Sequence, residues 1–135
     1  MPKRILIIDD DADIVEAMRM VLEANDFEIS TAFTGAEGLE KVKQVRPDLI
    51  ILDVMMEDDT AGFRVSWSLR NRDPHSEYAE YRDIPLLMIS AVSEMKGFRF
   101  DPRRDGDYLP VNEFLSKPVM PLDLIEKVDA LLSRE

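Results

Sequence analysis

Three carboxylates follow two apolar segments that have the composition of buried strands. The segment Ile5–Ile8 leads into Asp9 and Asp10, and the segment Leu49–Leu52 leads into Asp53. Ligands of an open parallel sheet bind at the carboxyl ends of its strands, so these side chains are predicted to share one crevice. Crowded carboxylates repel each other unless a cation lies among them. Mg²⁺ is the predicted cofactor, since it combines one or two carboxylates with water and a phosphate oxygen.

Two further strand ends supply groups that suit a phosphoryl group. Ser90 closes the apolar run at 85–89, and Lys117 follows the run at 114–116. A carboxylate can attack phosphorus, so Asp53 is the candidate phosphoacceptor that would form an aspartyl phosphate. Lys117 would pair with one phosphate oxygen as a point charge, and the Ser90 hydroxyl would hydrogen-bond another. The predicted chemistry is therefore phosphoryl transfer to a carboxylate.

The predicted metal ligands are Asp9, Asp10 and Asp53, directly or through water, with the backbone carbonyl of Met55 completing the coordination. Each acid taken alone has an ordinary structural explanation; Asp10 or Asp11, for example, could simply cap the first helix. Reactive groups at the ends of four different strands are much harder to explain in that way. The combination, and no single residue, carries the prediction.

The elements that must position these groups alternate between strand and helix, which predicts an α/β fold. Continuous apolar strands, buried on both faces, indicate a three-layer sandwich. A flavodoxin-like sheet of five parallel strands in the order 2-1-3-4-5 would place strands 1 and 3 side by side. Strands are predicted at 4–9, 28–32, 48–53, 85–90 and 113–116, and helices at 12–24, 34–45, 62–72 and 121–133.

Local signals refine these boundaries. Thr34 and Glu37 have the spacing of a capping box at the start of the second helix. Asn25 is a predicted left-handed cap after the first helix. The polar segment 73–83 is predicted to be a loop with at most a short helical turn. Glycines and prolines punctuate 94–112 so densely that no long helix is expected there.

Composition limits the functional class. The chain has 135 residues, enough for one domain, and a formal net charge of −11, which disfavours direct binding to nucleic acid. It contains no cysteine, which excludes disulfides, thiolate zinc sites and a cysteine nucleophile. No apolar stretch approaches the ~20 residues of a membrane span. A cytoplasmic protein without membrane association is expected.

These motifs together resemble the receiver domain of two-component response regulators. The resemblance extends over the whole chain and implies a single receiver domain, 1–135. It also implies that a sensor histidine kinase or a histidine phosphotransfer protein donates the phosphoryl group to Asp53. The segments that carry the resemblance are Ile7–Asp11, Pro47–Met56, Ile89–Ala91 and Phe114–Pro118.

The resemblance assigns further roles. Ser90 corresponds to the switch hydroxyl, Phe114 to the switch aromatic residue and Lys117 to the lysine of the phosphorylation site, and a cis peptide bond is expected before Pro118. Phosphorylation of such a domain shifts a two-state equilibrium and thereby changes a partner-binding surface. A receiver is not a classical enzyme: at most it phosphorylates and dephosphorylates itself with Mg²⁺.

Two departures from the family pattern motivate an alternative. Glu57–Asp59 stand where the family often has a proline, and 94–112 occupies the place of helix 4. Helix 4 is therefore predicted to be shortened or replaced by an irregular loop, which would form a specialised surface for an unknown partner. The alternative is a phosphorylation-independent, receiver-like interaction module. A phosphatase would need an aspartate where Met55 lies. A stand-alone regulator, a phosphorelay intermediate and a fragment of a longer protein all fit the sequence.

Overall fold

Five parallel strands form the central sheet of the computed structural model, which describes residues 2–54, 61–71, 73–91 and 113–133. The strands lie in the order β2-β1-β3-β4-β5. This order confirms the predicted flavodoxin-like topology, in which β1 and β3 are neighbours. The strands are β1 (Arg4–Ile8), β2 (Glu28–Ala32), β3 (Leu49–Asp53), β4 (Leu86–Ala91) and β5 (Glu113–Lys117).

Helices cover both faces of the sheet. Alternate residues of β1 point to opposite sides: Ile5 belongs to a buried cluster with Leu124 of the C-terminal helix, whereas Leu6 belongs to one with Leu69 of α3. The predicted three-layer sandwich is therefore present in the described part of the chain. The segment 94–112, predicted to lack a long helix, lies outside the described residues. The described helices are α1 (Ala12–Ala24), α2 (Gly35–Val45), α3 (Ala61–Arg70), a 3₁₀ turn (Ala79–Tyr81) and the C-terminal helix (Pro121–Leu132).

The helix that follows β1 is fixed at its start by an aspartate, and its bounds agree with the predicted 12–24. Asp11 is the N-cap of α1, and its Oδ1 accepts hydrogen bonds from the backbone N–H groups of Asp13 and Ile14. The prediction that Asn25 is left-handed was wrong. Asn25 has φ −104°, and Asp26 takes the positive φ of 68°. Both residue types tolerate this conformation, so the sequence alone did not decide between them.

The predicted capping box at the start of α2 is confirmed in its Thr34 half, whereas Glu37 accepts from the residue before the N-cap Thr34. The backbone N–H of Glu37 donates to Thr34 Oγ1 at 3.1 Å, and the backbone N–H of Phe33 donates to Glu37 Oε1 at 3.1 Å. One N–H group that the helix itself leaves without a partner, that of Glu37, is thereby satisfied, together with the N–H of the residue before the cap. This cap fixes the direction in which α2 leaves β2.

Replacing Thr34 with alanine is expected to lower the free energy of unfolding by about 1 kcal/mol, because the N-cap acceptor is lost. Thr34→Ser keeps the hydroxyl and is the matched control. Urea denaturation of the three proteins measures the difference. Equal midpoints for Thr34→Ala and the wild type would show that the cap contributes nothing to stability.

The segment between α3 and β4 is more ordered than its polar composition suggests. A short helical turn is present, as predicted, but Tyr81 is only 5% exposed and belongs to the core. Lys43 lies over the Tyr78 ring at 5.0 Å, and Arg46 over the Tyr81 ring at 5.8 Å. Glu77 pairs with Lys43 as well. Lys43 of α2 and Arg46, the C-cap residue of this helix, thus contact the segment and hold it against α2.

Candidate functional site

The carboxyl ends of four neighbouring strands gather the residues that the sequence analysis selected. Asp9 directly follows β1, and Asp53 is the last residue of β3. Ser90 lies near the end of β4, and Lys117 is the last residue of β5. Parallel register keeps these ends level: Asp53 is opposite Ile89, and Ser90 is opposite Ser116. The strand order therefore places all of these residues along one edge of the sheet.

Lys117 bridges two buried aspartates across that edge. Its Nζ lies 3.3 Å from Asp53 Oδ1 and 3.9 Å from Asp9 Oδ2. Asp9 is 1% exposed and Asp53 is 3% exposed, whereas Asp10 is exposed. One cation thus faces two buried acids, so this crevice holds excess negative charge.

Asp11 contributes to the crevice through its backbone, which the sequence analysis did not foresee. Its N–H donates to Asp9 Oδ1 at 2.9 Å, and this bond orients the Asp9 carboxylate. Because Asp11 also caps α1, that role does not fall to Asp10. The run of three consecutive acids was the only feature of the sequence that indicated separate roles for Asp10 and Asp11.

The acidic group suits a hard divalent cation. Asp9, Asp10 and Asp53 each offer a carboxylate oxygen, and these oxygens lie within 4.8 Å of one another. Oδ2 of Asp9 is buried and accepts no hydrogen bond from the described part of the chain. A buried carboxylate oxygen in this condition is costly unless a cation compensates it, and all-oxygen ligands are those that Mg²⁺ prefers. Met55, the predicted backbone ligand, and Glu57–Asp59 lie outside the described residues.

Burial controls the ionisation of Asp9. Removal from water raises the pKa of the Asp9 carboxyl group above its ordinary value of 3.8. The hydrogen bond from Asp11 and the charge of Lys117 act in the opposite direction but are smaller effects. The charged form of Asp9 is therefore held in the crevice at a cost in stability, which a bound cation would offset.

This shift predicts a pH dependence of stability in the absence of divalent cations. The folded chain holds the Asp9 proton more tightly than the unfolded chain, whose carboxyl group keeps the ordinary value of 3.8. The free energy of unfolding is therefore expected to fall as pH rises from 3.8 to the raised pKa. Urea denaturation in EDTA over this range measures the slope, which Asp9→Asn should reduce. Identical slopes for Asp9→Asn and the wild type would contradict the assignment.

The remaining predicted residues lie beside this crevice. Ser90 is 1% exposed. Phe114 is half-buried and packs against the core on the side of α2 and α3, opposite Met88 of β4. The Lys117–Pro118 peptide bond is cis. The structure thus places a buried serine on β4 and a half-buried aromatic side chain on β5, the two strands that follow β3 in the sheet.

A sequence model of the response regulator receiver domain matches residues 5–129 of this chain. Because the match covers most of the 135 residues, the chain belongs to this family. It is thus a receiver domain of two-component signalling systems. None of the described helices is both long enough and apolar enough to cross a membrane.

The curated relatives are longer proteins. The transcriptional regulatory protein PrrA of Mycobacterium tuberculosis is 34% identical over 131 residues, which cover 97% of this chain and 50% of PrrA. The alkaline phosphatase synthesis transcriptional regulatory protein PhoP of Bacillus subtilis is 33% identical over 134 residues, which cover 99% of this chain and 50% of PhoP. The chain therefore spans about half the length of the curated relatives it matches.

Solved structures show the same fold. The chemotaxis response regulator CheY4 of Vibrio cholerae superposes with a TM-score of 0.77 at 25% identity, covering 97% of this chain and 99% of CheY4. A CheY-like response regulator receiver domain protein of Methanospirillum hungatei gives a TM-score of 0.75 at 26% identity, covering 98% of this chain and 94% of that protein. The likeness extends over essentially the entire chain.

Proposed function

We propose that Asp53 accepts a phosphoryl group from a sensor histidine kinase or a histidine phosphotransfer protein. The observation that carries this proposal is the meeting of three carboxylates and one lysine at the carboxyl edge of the sheet. Asp53 lies closer to Lys117 than Asp9 does, at 3.3 Å against 3.9 Å, so a group bound to Asp53 would lie within reach of the lysine. The family of the chain supports this chemistry, since two-component receivers work with kinases.

The transfer can be written with atoms and electrons in balance. A carboxylate oxygen of Asp53 attacks the phosphorus, and the bond between phosphorus and the imidazole nitrogen of the donor breaks. The electron pair of that bond returns to the imidazole nitrogen, and the ring leaves as neutral imidazole because its other nitrogen carries a proton. The ammonium group of Lys117 then pairs with an oxygen of the new phosphoryl group in place of the Asp53 carboxylate. Catalysis rests mainly on positioning and charge, as in other phosphoryl transfers.

Asp9, Asp10 and Asp53 would hold Mg²⁺, together with the proposed backbone carbonyl of Met55. When bound, Mg²⁺ supplies positive charge that offsets the negative charge of the incoming phosphoryl oxygens. Without it, the phosphoryl group would enter a crevice that already holds two buried acids against one lysine. We therefore expect phosphorylation to require a divalent cation.

The response to phosphorylation would pass through Ser90 and Phe114. A phosphoryl group on Asp53 adds negative charge and acceptor oxygens beside the buried Ser90 hydroxyl, which can then donate a hydrogen bond. Movement of Ser90 on β4 would open space next to the half-buried Phe114 on the neighbouring β5. An inward turn of this ring would change the surface presented to a downstream protein.

Direct contact with DNA is not part of the proposed function. The net charge of −11 opposes binding to a phosphate backbone. Any DNA-directed step, of the kind that the names of PrrA and PhoP indicate for those proteins, would belong to another domain or chain.

Intact-mass measurement after incubation with acetyl phosphate and Mg²⁺ tests the proposal. We expect the mass to increase by one phosphoryl group, and we expect no increase when EDTA is present during the incubation. A separate sample of untreated protein is mixed with beryllofluoride, which imitates a phosphoryl group without covalent transfer. Its Tm should rise. If neither reagent has an effect, the phosphorylation-independent interaction module becomes the better account.

A further inference from the structure

Gly62, in the first turn of α3, lies directly against the backbone of the proposed phosphoacceptor. We infer that Gly62 is a positioning residue: the absence of a side chain lets α3 begin in contact with Asp53 and Val54, and this contact fixes Asp53 in the crevice. The inference rests on the proposed role of Asp53 and extends it to a residue that the sequence analysis did not select.

The contact leaves no room for a side chain. A Cβ atom at Gly62 would lie 2.2 Å from the carbonyl oxygen of Asp53. It would also lie 2.8 Å from the Cα of Val54 and 2.9 Å from the Val54 carbonyl oxygen. All three neighbours are backbone atoms, so no change of rotamer can relieve the overlap. Any residue other than glycine must displace the backbone on one side of the contact.

A hydrogen bond closes the same contact. The N–H of Gly62 donates to the Val54 carbonyl at 2.9 Å. The chain leaves β3 at Val54 and re-enters the described structure at Ala61, so this bond ties together the two ends of the intervening 55–60 segment. Met55, the proposed source of a metal ligand, is the first residue of that segment. The Gly62 contact therefore fixes the start of α3 against the end of β3, next to Asp53.

The sheet side of the contact is firmly held. Asp53 pairs with Ile89 of β4, and the N–H of Val54 donates to the Ile89 carbonyl at 3.0 Å. A side chain at position 62 would push against this ladder. The strain would either push the start of α3 away, which removes the contact that holds Asp53, or displace Asp53 itself, and in both cases the carboxylate is no longer fixed relative to Lys117.

Gly38 provides a matched control in the same protein. It also lies on a helix that approaches the sheet closely, and a Cβ there would lie 2.4 Å from Ile8 Cδ1. Its near neighbours are all atoms of the Ile8 side chain, at 2.4, 2.9 and 3.0 Å. A side chain can shift at some cost in packing, whereas the backbone around Gly62 cannot. Gly38→Ala should therefore destabilise the fold without moving Asp53.

The experiment compares Gly62→Ala, Gly38→Ala and the wild type by rate of phosphorylation with acetyl phosphate over a Mg²⁺ titration. Urea denaturation gives the stability of each protein in parallel. We expect Gly62→Ala to be folded. Its phosphorylation rate should fall on the order of 10²-fold, the loss that a misplacement of about 1 Å can cause. It should also need a higher Mg²⁺ concentration to reach half of its maximal rate. Gly38→Ala should lose stability and keep the wild-type Mg²⁺ dependence.

A Gly62→Ala protein with the wild-type rate and Mg²⁺ dependence would overturn this inference alone. A wild type that takes up no phosphoryl group would overturn the proposed function and this inference with it.

A measurement on the wild type keeps the inference testable if Gly62→Ala does not fold. Amide hydrogen exchange is followed by NMR before and after addition of beryllofluoride and Mg²⁺. Exchange of the Gly62 N–H should slow, because loading Asp53 tightens the contact with α3. The Gly38 N–H, which donates to the Thr34 carbonyl at 2.9 Å, should be unchanged. Unchanged exchange at Gly62 on loading would overturn the inference.

Discussion

Replacing Asp53 with asparagine is expected to abolish covalent phosphorylation while leaving the fold intact. The amide has nearly the same shape as the carboxylate, but its oxygen is a far weaker nucleophile toward phosphorus. The backbone of Asp53 remains paired with β4, and the neighbouring N–H of Val54 keeps its bond to Ile89. Intact mass after treatment with acetyl phosphate and Mg²⁺ measures the loss, and circular dichroism reports the fold.

Asp48→Asn is the matched control for this variant. Asp48 precedes the same strand at its opposite end, where its Oδ2 accepts a hydrogen bond from the Arg4 N–H at 2.8 Å. The asparagine carbonyl can still accept that bond, so Asp48→Asn should be phosphorylated like the wild type. A phosphoryl group on the Asp53→Asn protein would show that another residue is the acceptor.

Replacing Lys117 with alanine is expected to separate metal binding from phosphoryl transfer. Lys117 lies within 4 Å of Asp9 and Asp53, at 3.9 and 3.3 Å, and it is not a metal ligand. Its loss removes the cation that would meet the phosphoryl oxygens, so the transfer rate should fall about 10²–10³-fold. Mg²⁺ should still bind, and it should raise the Tm of Lys117→Ala more than that of the wild type, because the buried acids have lost their neighbouring cation.

Two comparisons make this prediction specific. Lys127→Ala removes a lysine whose Nζ pairs with Glu113 at 3.5 Å on the surface, and it should leave transfer unchanged. Asp10→Ala removes a proposed metal ligand and should weaken Mg²⁺ binding. If Lys117→Ala lost Mg²⁺ affinity as severely as Asp10→Ala, the separate roles given to the lysine and the acid would be wrong.

The sheet and the position of the crevice could be predicted because their signals are local. Apolar runs such as Leu49–Leu52 identify buried strands, and alternation with helices dictates a parallel sheet. Once the strand order is known, residues at strand ends such as Asp53 and Lys117 must come together. The predicted bounds of α1 agree with the structure, and those of the other described elements differ by only a few residues.

Features that depend on distant contacts could not be predicted in this way. Tyr81 lies in a polar segment, yet it is buried because it packs into the core cluster on the side of α2 and α3. Nothing near Gly62 in the sequence indicates that its Cα will face the Asp53 carbonyl. Residue type alone did not determine whether Asn25 or its neighbour Asp26 would take the positive φ. The statements on Glu57–Asp59 and 94–112 stay predictions, since these residues lie outside the described part of the chain.

The most direct test of the account is to locate the phosphoryl group. The chain is treated with acetyl phosphate and Mg²⁺ and then with borohydride, which reduces an aspartyl phosphate to homoserine. Peptide mass mapping then identifies the residue that has changed. We expect homoserine at position 53 alone, and none when EDTA is present. Homoserine at position 9 or 10, or no homoserine in a sample that has gained a phosphoryl group, would contradict the claim that Asp53 is the phosphoacceptor.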